Sequence, residues 1–315
     1  MVLSLSNTGE NKAILFTRKL MNLIEEIKSS YKKGSSLHKL LYINLGLFLL
    51  VKLVFIILFL FNVEDAEVLV IKWLAVPAYL PDLILRIWTP ISYMFLHEGF
   101  IHILFNLLWL YWFGTIFLEY FDQKKLITVY LLGGLSGAFL YILSFNVFPS
   151  FAPFLKQSVA LGASASVMAI VIAVAAYVPN YVVRLVLIGP VKIKYIAIAV
   201  FVFTSILDFS TNTGGKIAHI GGAIFGYLYV SQYKRGKDIG KGFDSFMDSF
   251  FSLFKSKSKL KVTHRKVPKN DMDYNSMKAN EQKDVNQILD KISKGGYDSL
   301  TKKEKEILFK MSNKK

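Results

Sequence analysis

The stretches "LGASASVMAIVIAVAAY" (161–177) and "IAHIGGAIFG" (217–226) decide the fold, because each sets a reactive side chain in an apolar run rich in small residues. The first run carries Ser164 and the second carries His219. Small residues spaced about four apart let two membrane helices approach closely. The small-residue stripes are Gly162, Ala165, Ala169, Ala173 and Ala176 in the first run and Ala218, Gly222 and Gly226 in the second. Close packing of these helices would bring Ser164 and His219 within hydrogen-bond distance.

Apolar runs of this kind recur along the chain of 315 residues, which is 53% hydrophobic and 19% charged, with a mean hydropathy of +0.42. About 20 apolar residues cross a bilayer as a helix. The sequence therefore predicts an all-α polytopic membrane protein, a bundle of six transmembrane helices. The expected spans are about 40–62, 99–121, 125–148, 160–178, 193–209 and 215–235.

The net charge of +16 is better explained by membrane topology than by nucleic-acid binding. Lys and Arg accumulate on the cytoplasmic side of membrane proteins. Here they mark both ends of the chain and the second and fourth connections between spans, whereas the first connection is acidic. We therefore expect both termini in the cytoplasm. The absence of a transit-peptide pattern favours an integral protein of a bacterial inner membrane. The absence of cysteine excludes disulfides and thiol catalysis.

Composition divides the chain into four predicted regions. The amphipathic segments "ILFTRKLMNLIEEIK" (14–28) and "FDSFMDSFFSLFKSK" (243–257) are typical of helices that lie on a membrane surface. The last region is expected to form two short helices around Gly295–Gly296, the second capped by Ser299 or Thr301. The regions are 1–39, a cytosolic amphipathic N-terminal region; 40–235, the six-span domain; 236–285, an interfacial helix and linker; and 286–315, a small helical appendage.

Four polar residues in the spans indicate catalytic chemistry. His102 and Asn106 are four residues apart, so they share a helix face, and both donate hydrogen bonds without carrying net charge. Such donors suit an oxyanion in a tetrahedral intermediate. Ser164 would be the nucleophile and His219 its base. We find no carboxylate placed to complete a triad, so this would be a Ser–His dyad.

Plainer interpretations of the same residues stay open. A serine in a membrane helix often bonds back to its own backbone, and an asparagine often joins two helices. Ser164 and Asn106 could do so, and His219 could serve packing alone. Ser166 lies two residues beyond Ser164, so it is expected to face away from the site.

Two other classes of site are disfavoured. His97 and His102 are five residues apart, about 140° around a helix, so they do not form a metal-binding pair. Lys52 lies in the middle of the first span, where an ion pathway is conceivable. With no matching acidic residue nearby in the sequence, a snorkelling or bundle-facing lysine is the favoured interpretation.

Three motifs resemble those of the rhomboid intramembrane serine proteases. They are "HEGFIHILFNLLWLYWFG" (97–114), "GASAS" (162–166) and "AHIGG" (218–222). They occur in the family's order and on the expected second, fourth and sixth spans. The resemblance covers about residues 40–235 and implies the fold and activity of that family.

The resemblance also implies roles for individual residues. Ser164 would be the nucleophile and His219 the general base. The oxyanion hole would consist of the Ser164 backbone amide, His102 and Asn106. The supporting positions would be Gly162 of the Gly-x-Ser motif, His97 as the first histidine of its motif, and Trp88 as the tryptophan of a first-loop Trp-Arg pair.

Three positions depart from the family pattern. Thr89 stands where the arginine of the Trp-Arg pair is usual, which questions how the first loop is anchored. Ala165 replaces the common glycine after the nucleophile, next to the oxyanion hole. Met168 stands where an aromatic ring often stacks on the base, and its thioether can still contact an imidazole.

The expected function is cleavage of transmembrane helices of substrate proteins within the lipid bilayer. It requires no metal, nucleotide or other cofactor and involves no nucleic acid, and the sequence does not indicate an oligomeric state. The main alternative is a catalytically weak or inactive protein of the same fold that binds membrane helices. A transporter is disfavoured because the sequence shows neither inverted repeats nor interrupted helices with paired charges.

Overall fold

The structure, a computed structural model, describes residues 34–186, 188–207, 211–254 and 271–312, together with Met21 and Tyr31. It divides into two compact units, Met1–Phe254 and Lys255–Lys315, which are described separately. The amphipathic helix expected over 14–28 lies outside the described residues, apart from Met21.

The described part of the first unit is mainly helical. Its helices are α1 (Ser36–Leu60), α2 (Ala66–Leu74), α3 (Leu80–Leu85), α4 (Thr89–Ser92), α5 (Phe100–Tyr120), α6 (Gln123–Val147), α7 (Ser164–Tyr177), α8 (Ile193–Ser205), α9 (Thr213–Lys234) and α10 (Lys241–Phe254). Two antiparallel pairs of short strands lie in the loops: β1 (Val76–Pro77) with β2 (Val159–Ala160), and β3 (Val182–Leu185) with β4 (Gly189–Lys192).

Among the described residues, three helices are long and apolar enough to cross a membrane, namely α1, α5 and α6. The apolar helices α7 and α8 have only 14 and 13 residues. At 1.5 Å per residue they extend roughly 20 Å, against a hydrocarbon core of about 30 Å. The 22-residue α9 is long enough, but glycines, Lys216 and His219 lower its hydropathy. The six-span count therefore stays a prediction.

Local sequence explains where the long helices begin. The Ser35 hydroxyl accepts a hydrogen bond from the His38 amide at the start of α1, and the Asp122 carboxylate accepts one from the Lys125 amide at 2.8 Å at the start of α6. These caps satisfy amide groups that have no partner inside the helix. The polar ends thus fix the helix boundaries, while the apolar interiors fix their length.

Helix α7 lies at the centre of the first unit, because small residues let α6 and α9 approach it. A Cβ atom at Gly222 would lie 2.1 Å from the Ala165 carbonyl oxygen, and one at Gly226 would lie 2.2 Å from that of Ala169. On the α6 side, a Cβ at Gly133 would lie 2.3 Å from the Ala169 Cβ. Only glycine allows such backbone contact, so the predicted close packing is confirmed at Ala165 and Ala169 of α7 and at Gly222 and Gly226 of α9.

Helix α10 coincides with the predicted interfacial segment. Its acidic side is bound to the start of α6: Asp248 pairs with Lys124, and Asp244 accepts a hydrogen bond from the Thr128 hydroxyl. On the same helix the rings of Phe246 and Phe250 are exposed. Helix α10 is therefore bound to the start of α6 and leaves an aromatic face exposed.

The second unit contains α11 (Asp271–Gly295) and α12 (Lys302–Ser312). The region 236–285 was expected to hold an interfacial helix and a linker, but α11 already begins at Asp271 within it. Residues 271–285 contain no glycine or proline. Because they are polar, no apolar periodicity indicated that they form a solvent-exposed helix. The predicted cap of the last helix is Thr301, which exchanges hydrogen bonds with Glu304 as a capping box.

Candidate active site

Ser164 begins α7 directly after a tight backbone turn. The turn requires Gly162, whose φ of +123° is rarely adopted by other residues, and its amide donates to the Tyr93 carbonyl at 2.8 Å. A Cβ atom at Gly162 would lie 2.9 Å from His102 Nε2 and 3.6 Å from Ser164 Oγ. The His102 ring and the Ser164 hydroxyl therefore both lie close to Gly162, and the His102 ring leaves no room for a larger side chain there.

His102 lies in the first turn of α5, with its ring edge-on to that of His97 at 5.2 Å between centroids. His97 is only 2% exposed, and its Nδ1 is 3.3 Å from the Phe95 carbonyl oxygen. A carbonyl accepts but does not donate, so this Nδ1 carries the proton. The His97 ring thus packs against the His102 ring, and its Nε2 is buried without a partner among the described residues.

Asn106 is one helical turn further along α5 and is buried. Its Nδ2 donates to the His102 carbonyl at 2.9 Å, within the same helix. In the described part of the chain we find no bond from Asn106 to another helix, so the interhelical alternative lacks support. One amide hydrogen remains free for another acceptor, because a carboxamide nitrogen carries two.

His219 is on α9, one turn before the close contact of Gly222 with α7. Its Nδ1 lies 3.2 Å from the Thr204 carbonyl oxygen near the end of α8. This contact places the proton of a neutral ring on Nδ1 and leaves the lone pair on Nε2, the state that a general base requires. Among the described residues no hydrogen bond joins Ser164 to His219; such bonds often tighten only when substrate is bound.

Ser166 faces the opposite side of α7, as expected. Its hydroxyl is fully buried against α6, where a Cβ at Gly134 would lie 2.5 Å from it, and it has no hydrogen-bond partner in the described structure. Among the described contacts of Ser166, none involves His102 or Ser164. Ser166 is therefore a structural serine.

Trp88 lies in the first loop, away from these residues. Its ring stacks on Trp73 at 5.9 Å with an interplanar angle of 6°, and its Nε1 donates to the Trp73 carbonyl at 2.8 Å. Both rings are exposed. The structure thus gives Trp88 a role in holding the first loop and no contact with the catalytic candidates.

The anchor of this loop is Arg86, which the sequence analysis missed. Arg86 is 5% exposed, and its guanidinium donates to the Lys72 carbonyl and to both the carbonyl and carboxylate of Asp82. The buried Thr89 hydroxyl in turn donates to the Arg86 carbonyl at 2.7 Å. An arginine thus lies three residues before Thr89 and hydrogen-bonds within the first loop. A lone arginine in the apolar segment "LILRIW" (83–88) was the signal for it.

The other two departures belong to the packing of α7. Ala165 is buried, and its Cβ is 2.6 Å from where a Cβ at Gly137 would lie, so a small side chain is required there. Met168 is buried in the same core. Neither replacement introduces a polar or charged group beside Ser164.

An apolar groove of about 380 Å³ runs along α8 towards the site. It is lined by α5, the β3–β4 hairpin and α8, and its lining includes Thr204, whose carbonyl contacts His219. The residues that define it include Trp109, Leu185, Ile188, Tyr195 and Phe203.

Comparison with known families identifies two regions. Residues 85–235 match the family model described as Rhomboid domain. Residues 270–314 match one described as a family of unknown function, DUF6576. No curated protein matches the chain.

Proposed function

We propose that this chain, which belongs to the rhomboid family through its residues 85–235, is an intramembrane serine endopeptidase that cleaves transmembrane segments of other proteins. The observation that carries the proposal is that the His102 ring and the Ser164 hydroxyl both lie close to Gly162. A hydrogen-bond donor close to a nucleophile is an arrangement that acyl transfer requires.

The chemistry follows from the donors and acceptors. Ser164 Oγ attacks the carbonyl carbon of the scissile bond while its proton passes to Nε2 of His219. The proton then goes to the leaving amine, the C–N bond breaks, and an ester on Ser164 remains. Water, deprotonated by His219, hydrolyses that ester. The Thr204 carbonyl keeps the imidazole in the required tautomer and stabilises the imidazolium between the two proton transfers.

The tetrahedral oxygen anion would be held by uncharged donors. These are the Ser164 amide at the start of α7, His102 Nε2 and the free amide hydrogen of Asn106. The intrahelical bond of Asn106 and the packing of His102 against His97 and Gly162 support this assignment, because donors held before substrate binds stabilise a transition state most strongly. Removal of one such donor typically lowers kcat by about 10²–10³.

The groove along α8 supports a membrane-embedded substrate. Its lining is almost entirely apolar, so an extended polar peptide would gain little there, whereas an apolar helix would bury its surface. The family acts on transmembrane substrates within the membrane. Lipid and a transmembrane segment are therefore the proposed partners of this face. The proposed orientation has both termini in the cytoplasm of a bacterial cell.

A second function, binding membrane helices without cleaving them, is favoured by one observation. Within the described residues Ser164 and His219 do not share a hydrogen bond, so the dyad is not assembled in this state. A protein that only binds helices would retain the groove and need no dyad.

Two serines two residues apart allow a sharp test. The full chain, Ser164→Ala and Ser166→Ala are purified in detergent and tested with a fluorophosphonate probe and a single-span reporter. We expect labelling and cleavage to disappear with Ser164→Ala and to persist with Ser166→Ala, whose buried hydroxyl contributes no bond. Cleavage by Ser164→Ala would refute the dyad, and an inert wild-type chain would favour the binding function.

A further inference from the structure

Lys52 is the only charged residue between Leu40 and Leu60 in the apolar helix α1. Its Nζ donates a hydrogen bond to the Glu98 carbonyl oxygen at 2.8 Å and lies 4.0 Å from Glu67 Oε1 on α2. A charged group among apolar residues is costly unless it is compensated. These contacts compensate it, so the lysine faces the first loop and the bundle rather than lipid.

Two aromatic rings fix the ammonium in this position. Nζ lies 5.8 Å from the ring centre of Phe48 and 5.2 Å from that of Phe55, one turn on either side along α1. Cation–π contacts of this kind restrict a side chain that is otherwise flexible. The Lys52 side chain is 35% exposed, so solvent still reaches it.

The acceptor of the Lys52 bond lies inside the motif that carries the site. Glu98 directly follows His97 and precedes Gly99, the N-cap of α5. His102 is in the first turn of that helix. The Glu98 carbonyl therefore lies directly before the N-cap of the helix whose first turn carries His102.

Apolar packing beside Lys52 joins the same parts of the chain. Val51 forms a small buried cluster with Ala75 and Leu96, and Leu161 packs against it. Leu96 precedes His97, and Leu161 precedes Gly162. This part of α1 therefore contacts both loops that lead into the site, and Lys52 supplies the directional bond within that contact.

We propose that Lys52 is a positioning residue, whose ammonium holds the Glu98 carbonyl and thereby keeps His102 facing Gly162 and Ser164. The inference rests on the proposed function, because it concerns the same site. Without the charged donor, the segment from His97 to Gly99 gains freedom and the His102 donor is misplaced for part of the time. Substrate binding along the α8 groove is left unchanged.

The test compares Lys52→Met, which keeps the length but removes the charge, with Lys52→Arg and with Lys72→Met. Lys72 is an exposed lysine of α2, so its replacement controls for the loss of one charge in the same region. We measure kcat and KM on the single-span reporter with the full chain in detergent. A donor that is displaced rather than deleted should cost less than the 10²–10³ of a deletion.

The expected result is a fall in kcat of about tenfold for Lys52→Met with KM within about twofold, and recovery to within about threefold for Lys52→Arg. Lys72→Met should behave as wild type. The inference is overturned if Lys52→Met matches Lys72→Met. It is also overturned if kcat falls only in proportion to the folded fraction and Lys52→Arg does not restore it.

A second measurement separates this inference from the proposed function. Hydrogen exchange of the amides of residues 97–105 is compared between Ser164→Ala and the double variant Ser164→Ala/Lys52→Met, neither of which needs to be active. Faster exchange in the double variant supports the positioning role, and equal exchange contradicts it. If Ser164→Ala still cleaves the reporter, the protease proposal fails, while the exchange comparison still decides the role of Lys52.

Discussion

Replacing Gly162 by alanine adds one methyl group next to the His102 ring and the Ser164 hydroxyl. The new Cβ would lie 2.9 Å from both Cε1 and Nε2 of His102 and 3.6 Å from Ser164 Oγ. The optimal distance between non-bonded carbon atoms is about 3.5–4.0 Å. The His102 ring must therefore move by about 0.5–1 Å, or the turn before α7 must change.

The backbone adds a second cost at the same position. A φ of +123° is strained for alanine, at about 1–3 kcal/mol. Relief of that strain would rotate the turn that sets Ser164 at the start of α7. A misplacement of about 1 Å in a catalytic group can lower the rate about 10²-fold. We expect kcat to fall by about 10²-fold and the thermal midpoint to drop.

The matched control is Gly99→Ala. Gly99 lies at the start of α5, in the neighbouring loop, but its φ of −140° suits any residue and a Cβ there would meet nothing within 4 Å. Rates on the reporter and thermal midpoints are measured for both variants. Gly99→Ala should stay within about threefold of wild type. Wild-type activity and stability in Gly162→Ala would refute the placement of His102 and Ser164 around this glycine.

Three further predictions concern other parts of the chain. Gly222→Ala should destabilise the bundle and lower activity, because its Cβ would lie 2.1 Å from the Ala165 carbonyl; thermal unfolding in detergent, with exposed Gly242→Ala as control, checks this. The pKa of Glu304 is lowered to about 2 by the Thr301 amide and then by Lys291. Its folded pKa is below its unfolded value near 4.5, so the second unit should keep this stabilisation above about pH 4.5 and lose it as the pH falls towards 2. NMR titration of the carboxyl carbon tests it, and a pKa near 4.5 would contradict the capping box. Phe246→Ser should weaken the contact of α10 with lipid, which we propose for its exposed aromatic face; a fluorophore on α10 should then be quenched less by brominated lipid, and unchanged quenching would count against an interfacial helix.

The packing of the helices that carry the site could be predicted from the sequence. Ser164 and His219 lie on helices that pack through Gly222 and Gly226, because stripes of small residues have one simple use between apolar helices. The backbones of the two helices contact each other directly because glycine has no side chain. The spacing of small residues is itself the physical cause of this helix contact, so the contact was predictable.

Other features depend on contacts that no local pattern encodes. The acceptors of Arg86, Lys52 and His219 are backbone carbonyls, which every residue has, so nothing in the sequence singles out Lys72, Glu98 or Thr204. The helix at 271–285 was missed because apolar periodicity is absent from a solvated helix. Tertiary position and solvent exposure decide these cases.

Thr204 on α8 contacts both the apolar groove and His219. It is part of the lining of the groove, and its carbonyl contacts Nδ1 of His219. A ligand in the groove would therefore touch the same residue whose carbonyl orients the imidazole. The proposed substrate face and the proposed base thus share one residue of α8.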